Sequence, residues 1–387
     1  MFARFLGLSV LLGLLGVGCG SEEQAFVGQL ESNVVYGTDD RLEVYNHPSS
    51  DLRSIARESV VALINSNQIE RGADGIYVLF AVPLASSEGL CVGESFADQP
   101  TAANCSGVLI DDDLVLTAGH CMRTQARCDS TSFVFNYHLE GPMELAAIDD
   151  DDVYECETIA LRGEAGGDVP TPDFAVVRLD RSVSGGHRPA SIRPATLPLT
   201  VGEPLTMIGF GSGIPAKIES GGEVFDPRTA SLDYFVANSD AFRGHSGSPV
   251  FDSANELAGH LVAGLGPDYV ETNSGCFVVN TFQDTAAGEL VHYLAPVVAA
   301  LCDQGFGSDA LCGEDACDGE PCGVKAPTTG GNLPVVTTGG SGGAGGGGSI
   351  PAASSSGCRA APGTSFPSGW LALATLALLA RIRRSAV

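Results

Sequence analysis

Lysine is almost missing from this chain of 387 residues. Only Lys217 and Lys325 occur, and 47 acidic against 20 basic side chains leave a formal charge of −27. Nucleic acid is thereby excluded as a partner, because phosphate binding needs clustered Lys and Arg; the acidic balance reads as the solubility of an exported protein. Long apolar runs are also lacking. Phe5–Val17 and Trp370–Ala380 both fall short of the about 20 residues that span a bilayer. Cys302, Cys312, Cys317 and Cys322 contain no Cys-x-x-Cys pair, so disulfides are favoured there over zinc, and no metal is expected.

The two apolar runs fit sorting signals instead. Arg4, the run after it and Gly18-Cys19-Gly20-Ser21 read as an export signal over 1–19. Gly18-Cys19 resembles a lipoprotein cleavage site at which Cys19 would be acylated, with ordinary signal cleavage as the alternative. Residues 20–33 read as a leader or propeptide. At the other end, Gly357-Cys358, a spacer, the apolar stretch and Arg381, Arg383 and Arg384 resemble the tripartite MYXO-CTERM signal over 357–387. That resemblance implies processing or lipid attachment at Cys358, envelope sorting machinery as a partner, and a cell-surface or released product. A plain C-terminal anchor is the alternative, its basic cluster staying in the cytoplasm. Residues 302–325 are Cys-rich, and 326–356, built from Gly, Ser, Thr and Pro, read as a flexible, disordered linker.

Setting Cys19 and Cys358 apart from the twelve cysteines leaves an even number, consistent with disulfides in an oxidising compartment. Cys128 and Cys156 flank the expected hairpin strand Ser132–Tyr137 and the return strand near Val153–Cys156, which pairs them. Cys91, Cys276, Cys302, Cys312, Cys317 and Cys322 allow about 15 connectivities.

Between residues 34 and 301 short β-rich runs alternate with Gly, Pro, Asp and Asn. They include Val60–Ile64, Ile76–Val82, Gly107–Ile110, Leu114–Thr117, Phe133–Tyr137, Phe174–Leu179, Leu205–Gly209, Leu232–Ala237, Leu257–Ala263 and Phe277–Asn280. This spacing predicts an all-β antiparallel sandwich or barrel. Leu290, Leu294, Val297, Val298 and Leu301 recur at helical spacing and predict a helix over 286–301. Asp149–Asp152 could supply calcium ligands but lack the alternation of a dedicated loop, so they read as a solvated turn.

Three motifs carry the chemistry: Leu-Thr-Ala-Gly-His-Cys at 116–121, Pro-Asp-Phe-Ala-Val-Val at 172–177 and Gly-His-Ser-Gly-Ser-Pro-Val at 244–250. A serine hydroxyl is a poor nucleophile at neutral pH. It needs an imidazole to take its proton and a carboxylate to hold the imidazole's tautomer; His120, Asp173 and Ser246 offer that set. Cys105 lies fifteen residues before His120 and Cys121 directly follows it.

These residues resemble the chymotrypsin/trypsin-like serine proteases, especially the compact bacterial branch that includes glutamyl endopeptidases. Val34-Val35-Tyr36-Gly37-Thr38-Asp39-Asp40-Arg41 is similar to the start of that branch's mature domain. The resemblance implies a protease domain over 34–301 made of two six-stranded antiparallel β-barrels with a C-terminal helix, the site lying in the cleft between them. It further implies a Cys105–Cys121 disulfide, Ser246 as nucleophile, and the N–H groups of Gly244 and Ser246 as oxyanion hole. Protein or peptide substrates, a monomer and no cofactor follow from the same source.

For specificity the resemblance points two ways. Asp240, six residues before Ser246, with Gly264 and Gly275 implies cleavage after Arg or Lys through a charge-assisted contact. His260 implies a glutamyl preference instead, although a one-residue slip in strand register would turn its side chain to the other face. His245 stands where digestive enzymes place an aspartate, and Phe242 where they place a cysteine. Ser248 breaks Gly-x-Ser-x-Gly and the chain order His, Asp, Ser opposes an α/β-hydrolase. A non-catalytic surface binding protein with a protease fold remains the alternative class.

Overall fold

Val60-Val61-Ala62-Leu63-Ile64 alternates with nothing: every side chain is apolar, as expected for a strand buried on both faces, and all five are at most 1% exposed. In the computed structural model, which describes residues 34–163, 172–195 and 197–313, this run is one stave of a closed barrel. The expected signal, leader, linker and sorting segments, with Cys19, Cys317, Cys322 and Cys358, lie outside the described residues.

Helix α1 (Ser50–Glu58) precedes the barrel and begins where the Ser49 side chain accepts the Leu52 N–H, satisfying an otherwise orphaned donor. Six strands follow: β1 (Val60–Asn65), β2 (Ala103–Asp111), β3 (Leu114–Thr117), β4 (Thr131–Val134), β5 (Val153–Gly163) and β6 (Phe174–Leu179). They pair antiparallel in the order β4-β5-β6-β3-β2-β1, and β1 closes on β4. The expected strand Ile76–Val82 is divided between two small hairpins: Tyr77–Leu79 pairs with Ile69–Arg71, and Val82–Pro83 with Pro100–Thr101.

The second half contributes β7 (Thr206–Gly209), β8 (Lys217–Glu219), β9 (Val224–Asp226), β10 (Tyr234–Ala237), β11 (Pro249–Phe251), β12 (Leu257–Ala263) and β13 (Glu289–Tyr293). With Leu42–Glu43 they form an eight-stranded sheet, ordered β9-β10-β13-β12-β11-β7-β8 and then Leu42–Glu43. This differs from a second closed six-stranded ladder. Only Ser220-Gly221-Gly222-Glu223 separates β8 from β9, so one bent segment serves β7 at one end and β10 at the other. The Leu205 N–H donates to the Gly222 carbonyl at 2.8 Å across that bend. The all-β, chymotrypsin-like architecture therefore holds, with one closed barrel and, in place of the second, an eight-stranded sheet curled into a half-barrel and bent at a glycine turn.

Residues 289–293 correct the expected helix over 286–301. They form a central strand between β10 and β12, and helix α2 (Leu294–Asp303) starts only after it. Pairing on both sides overrides the local period, and β-branched Val291 suits the strand. Leu294, Val297, Val298 and Leu301 of α2 pack into a core shared with Val60, Ile64 and Val134 of the first barrel and Ile208, Phe210 and Ile218 of the second. Packing extends past residue 301, because Leu311 joins that core and Ser308 caps Asp111 through its N–H and hydroxyl, both at 2.7 Å. Among the described residues no helix is long and apolar enough to cross a membrane.

Four disulfides staple the described chain: Cys105–Cys121, Cys128–Cys156, Cys91–Cys276 and Cys302–Cys312. The last two come from the six cysteines whose pairing the sequence left open.

Candidate active site

His120 sits on the helical turn Gly119–Met122 just beyond β3, and Asp173 lies just before β6, the neighbour of β3 in the barrel. The turn is tight because position 119 has no side chain: a Cβ there would lie 2.6 Å from the Gly163 carbonyl and 2.8 Å from Asp173 Oδ1. Asp173 consequently grips His120 twice. Its Oδ1 accepts the His120 backbone N–H at 2.8 Å, and its Oδ2 meets the imidazole Nδ1 at 2.7 Å. Burial pushes the Asp173 carboxyl up, but the hydrogen bonds and charge of His120 outweigh it and hold the group below its usual value. Nδ1 must therefore carry the proton, leaving Nε2 free to accept one. Cys105 and Cys121 lie against His120 with ligand-type atoms within 4.8 Å, but both sulfurs are used in their disulfide and are not free to hold a metal.

Ser246 lies on the loop between β10 and β11. Gly244 and Gly247 adopt left-handed φ values of 96° and 86°, a region that favours glycine. At Gly247 the barrels touch: a Cβ would lie 2.2 Å from the Ser106 carbonyl and 2.3 Å from Thr117 Oγ1, both in the first barrel. Buried Ser106 locks the junction. Its N–H donates to the Ser246 carbonyl at 2.8 Å, its hydroxyl donates to the Gly244 carbonyl at 2.7 Å and accepts the Phe210 N–H at 3.1 Å. Among the described residues, neither the Gly244 nor the Ser246 N–H donates to a backbone carbonyl, and no hydrogen bond joins the partly exposed Ser246 hydroxyl to His120. Catalytic hydrogen bonds often tighten only with substrate in place.

His245 points inward, 1% exposed, with Nδ1 accepting the Phe242 N–H at 3.0 Å. Burial and the positive charges of Arg41 and Lys217 push its imidazole down to about 3, so it stays neutral. Phe242 lies under the Arg41 guanidinium at 3.8 Å, in cation–π contact. Phe242 thus ties the loop carrying Ser246 to the segment around Arg41.

Asp240, His260 and Gly275 occupy three different places, and Gly264 follows directly on the strand that carries His260. Asp240 accepts the N–H groups of Tyr36 and Asp40 at 2.8 and 2.9 Å, and lines a cavity of about 400 Å³ with Thr38, Glu219, Glu223, Asn238 and Asp284. Burial, aided by the Asp39 charge, pushes its carboxyl up to about 7 despite those donors. Gly264, Gly275, His260 and Ser246 are not among the lining residues. Gly275 occupies the exposed turn of the hairpin Tyr269–Glu271/Phe277–Val279, beside the Cys91–Cys276 disulfide. His260 is completely buried, and its Nε2 lies 3.1 Å from the Asp173 carbonyl.

Sequence reasoning missed His292 by placing it on the terminal helix. On β13 it faces His260 across the ladder, and its Nδ1 accepts the Asp173 N–H at 3.2 Å. No local alternation marks this strand: four of its five residues, all but Leu290, are buried, and pairing on both sides places His292. The acidic turn disperses its carboxylates: Asp150 pairs with Arg71, Asp151 accepts the Ser184 hydroxyl, and Asp152 takes Asn136 and His187.

Residues 105–259, which contain His120, Asp173 and Ser246, match the family model of the trypsin-like peptidase domain. Two curated relatives are snake venom serine protease 3 of Protobothrops jerdonii, 30% identical over 113 residues, and snake venom serine protease HS114 of Bothrops jararaca, 31% identical over 113 residues. Each alignment covers 29% of this chain and 41% of the relative, so the chain spans less than half the length of the curated relatives it matches. A solved structure of a Glu endopeptidase in complex with MPD is 17% identical, with a TM-score of 0.41, over 70% of this chain and 99% of that one.

Proposed function

We propose that the protein is a serine endopeptidase. The observation that carries this reading is the doubly bonded His120–Asp173 pair at the end of one barrel, opposite a left-handed glycine loop that presents Ser246 from the other. Ser246 Oγ attacks the scissile carbonyl as His120 Nε2 takes its proton, and the same nitrogen later protonates the leaving amine. Asp173 holds the imidazole in the tautomer this needs and stabilises the imidazolium. The uncommitted N–H groups of Gly244 and Ser246 receive the developing oxyanion, each such donor contributing about 3 kcal/mol at the transition state. Water then hydrolyses the acyl-enzyme, and no cofactor enters. The trypsin-like match over 105–259 supports the same assignment.

A basic preference rests on Asp240 with Gly264 and Gly275, and requires the Asp240 carboxylate, which accepts the Tyr36 and Asp40 N–H groups, to meet an Arg or Lys side chain. A glutamyl preference through His260 has less support, because that side chain is buried beneath Asp173. The disulfides agree with export to an oxidising compartment. Envelope attachment through Cys19 or Cys358 belongs to the same proposal.

The test is hydrolysis of matched peptides bearing Arg, Glu or Ala before the cleaved bond, with Ser246→Ala as blank. Turnover lost in the blank supports the reading, and the favoured peptide gives the preference. Equal turnover by a folded Ser246→Ala protein overturns the assignment, and a folded wild type that cleaves none of the three peptides favours a binding protein instead.

A further inference from the structure

Asp173 precedes the first ladder pair of β6, which is Phe174 with Gly163, so neighbouring strands supply no partner for its own peptide groups. Two imidazoles from the other barrel fill the gap. His292 Nδ1 accepts the Asp173 N–H at 3.2 Å, and His260 Nε2 reaches the Asp173 carbonyl at 3.1 Å. A carbonyl only accepts, so His260 carries its proton on Nε2; His292 accepts through Nδ1, so its proton is also on Nε2. The rings meet edge to face, with centroids 5.7 Å apart.

From this geometry we infer that His260 and His292 are positioning residues that clamp the Asp173 backbone and so aim its carboxylate at His120. The inference deepens the proposed serine-protease reading and rests on it. Strand β12 makes the clamp more than local packing. Next to His260, the Leu261 carbonyl accepts the Gly247 N–H at 2.7 Å and its N–H donates to the Ser248 carbonyl at 2.9 Å. One strand of the second barrel thus fixes both the loop carrying Ser246 and the acid that orients His120. The arrangement has a cost: His260 Nδ1 and His292 Nε2 are buried without hydrogen-bond partners, which an apolar pair would avoid. Burial keeps both rings neutral, pushing His260 down to about 3 and His292 to about 4, so the donor and acceptor pattern persists at neutral pH.

Matched substitutions separate positioning from packing. Gln places an amide N–H at the reach of Nε2, and Asn places a carbonyl oxygen at the reach of Nδ1. On a peptide the wild type cleaves, His260→Leu and His292→Leu should each lose about tenfold or more in kcat with KM nearly unchanged, since small misplacements near reacting groups can cost up to about 10². His260→Gln and His292→Asn should stay near wild type. Folded Leu variants with wild-type kcat, or matched variants as impaired as the Leu pair, would overturn the clamp. Should the Leu variants fail to fold, the mismatched His260→Asn and His292→Gln decide: they should lose kcat where the matched ones do not, and equal activity contradicts the clamp. Nitrogen-15 NMR of labelled histidines in the full chain should show both rings as neutral Nε2–H tautomers, and Nδ1–H on either ring refutes the inference even if no substrate is found. Absence of Ser246-dependent turnover in wild type would instead count against the protease reading.

Discussion

Two buried acids from each half show a contrast. In the first, Asp111 accepts the N–H and hydroxyl of Ser308, and Asp152 takes Asn136 and His187. In the second, Glu219 and Glu289 are at most 2% exposed and each leaves one oxygen without a hydrogen bond. Burial pushes both carboxyls well above their usual range. The first barrel closes through a continuous ladder and can hold His120 and Asp173 on strand ends. The second is an eight-stranded sheet bent at a glycine turn and edged by Leu42–Glu43, and it carries Ser246 on a loop. His120 and Asp173 thus stand on the regular half, while the loop carrying Ser246 depends on long-range contacts: Ser106 of the first barrel, Arg41 over Phe242, and Tyr36 and Asp40 on Asp240.

The largest expected effect tests the regular half. Asp173→Asn should fold normally yet lower kcat by about 10⁴, the loss seen when the orienting carboxylate of such a triad is removed; kinetics alongside thermal unfolding check it. Next is the junction. Gly247→Ala must hold a φ of 86° and place a methyl against the Ser106 carbonyl, so it should cost more than about 1 kcal/mol in denaturant unfolding and reduce activity.

A smaller effect reads the irregular half through pH. The folded protein raises Asp240 from 3.8 to about 7, so it binds that proton more tightly than the unfolded chain does. The resulting stability is complete below about 3.8 and is lost as pH rises through about 7. His245, His260 and His292 act in the opposite sense. Their folded values lie below 6.5, so their contribution is complete above 6.5 and is lost as pH falls toward 4 and 3. Asp240→Asn removes the first trend alone, and its stability relative to wild type should improve steadily from pH 4 to 8. A constant difference across that window would contradict a raised Asp240. Smallest of all is Arg71→Ala: the Arg71–Asp150 pair is exposed on both sides, and its loss should leave the melting temperature unchanged.

Chemistry was more legible in the sequence than topology. Gly119-His120-Cys121 and Gly244-His245-Ser246-Gly247 are legible because their tight turns demand glycine locally. The strand at 289–293 is not, since Leu290 also fits a helical stripe and only pairing with β10 and β12 decides between them. The surroundings of the specificity residues are hard to read for a related reason. Six residues before Ser246 is a sequence distance, whereas the direction of Asp240 is set by Tyr36 and Asp40, two hundred residues away. The partners of Cys91 and Cys302 likewise depend on chain paths that local pattern does not encode.

The most direct test of the central claim is covalent labelling with a serine-reactive fluorophosphonate, located by mass spectrometry, on wild type and His120→Ala. One adduct on Ser246 in the wild type, lost when His120 is removed, is the expected result. A wild-type protein that is folded but unlabelled, or labelled elsewhere, or labelled equally well without His120, would contradict an activated Ser246.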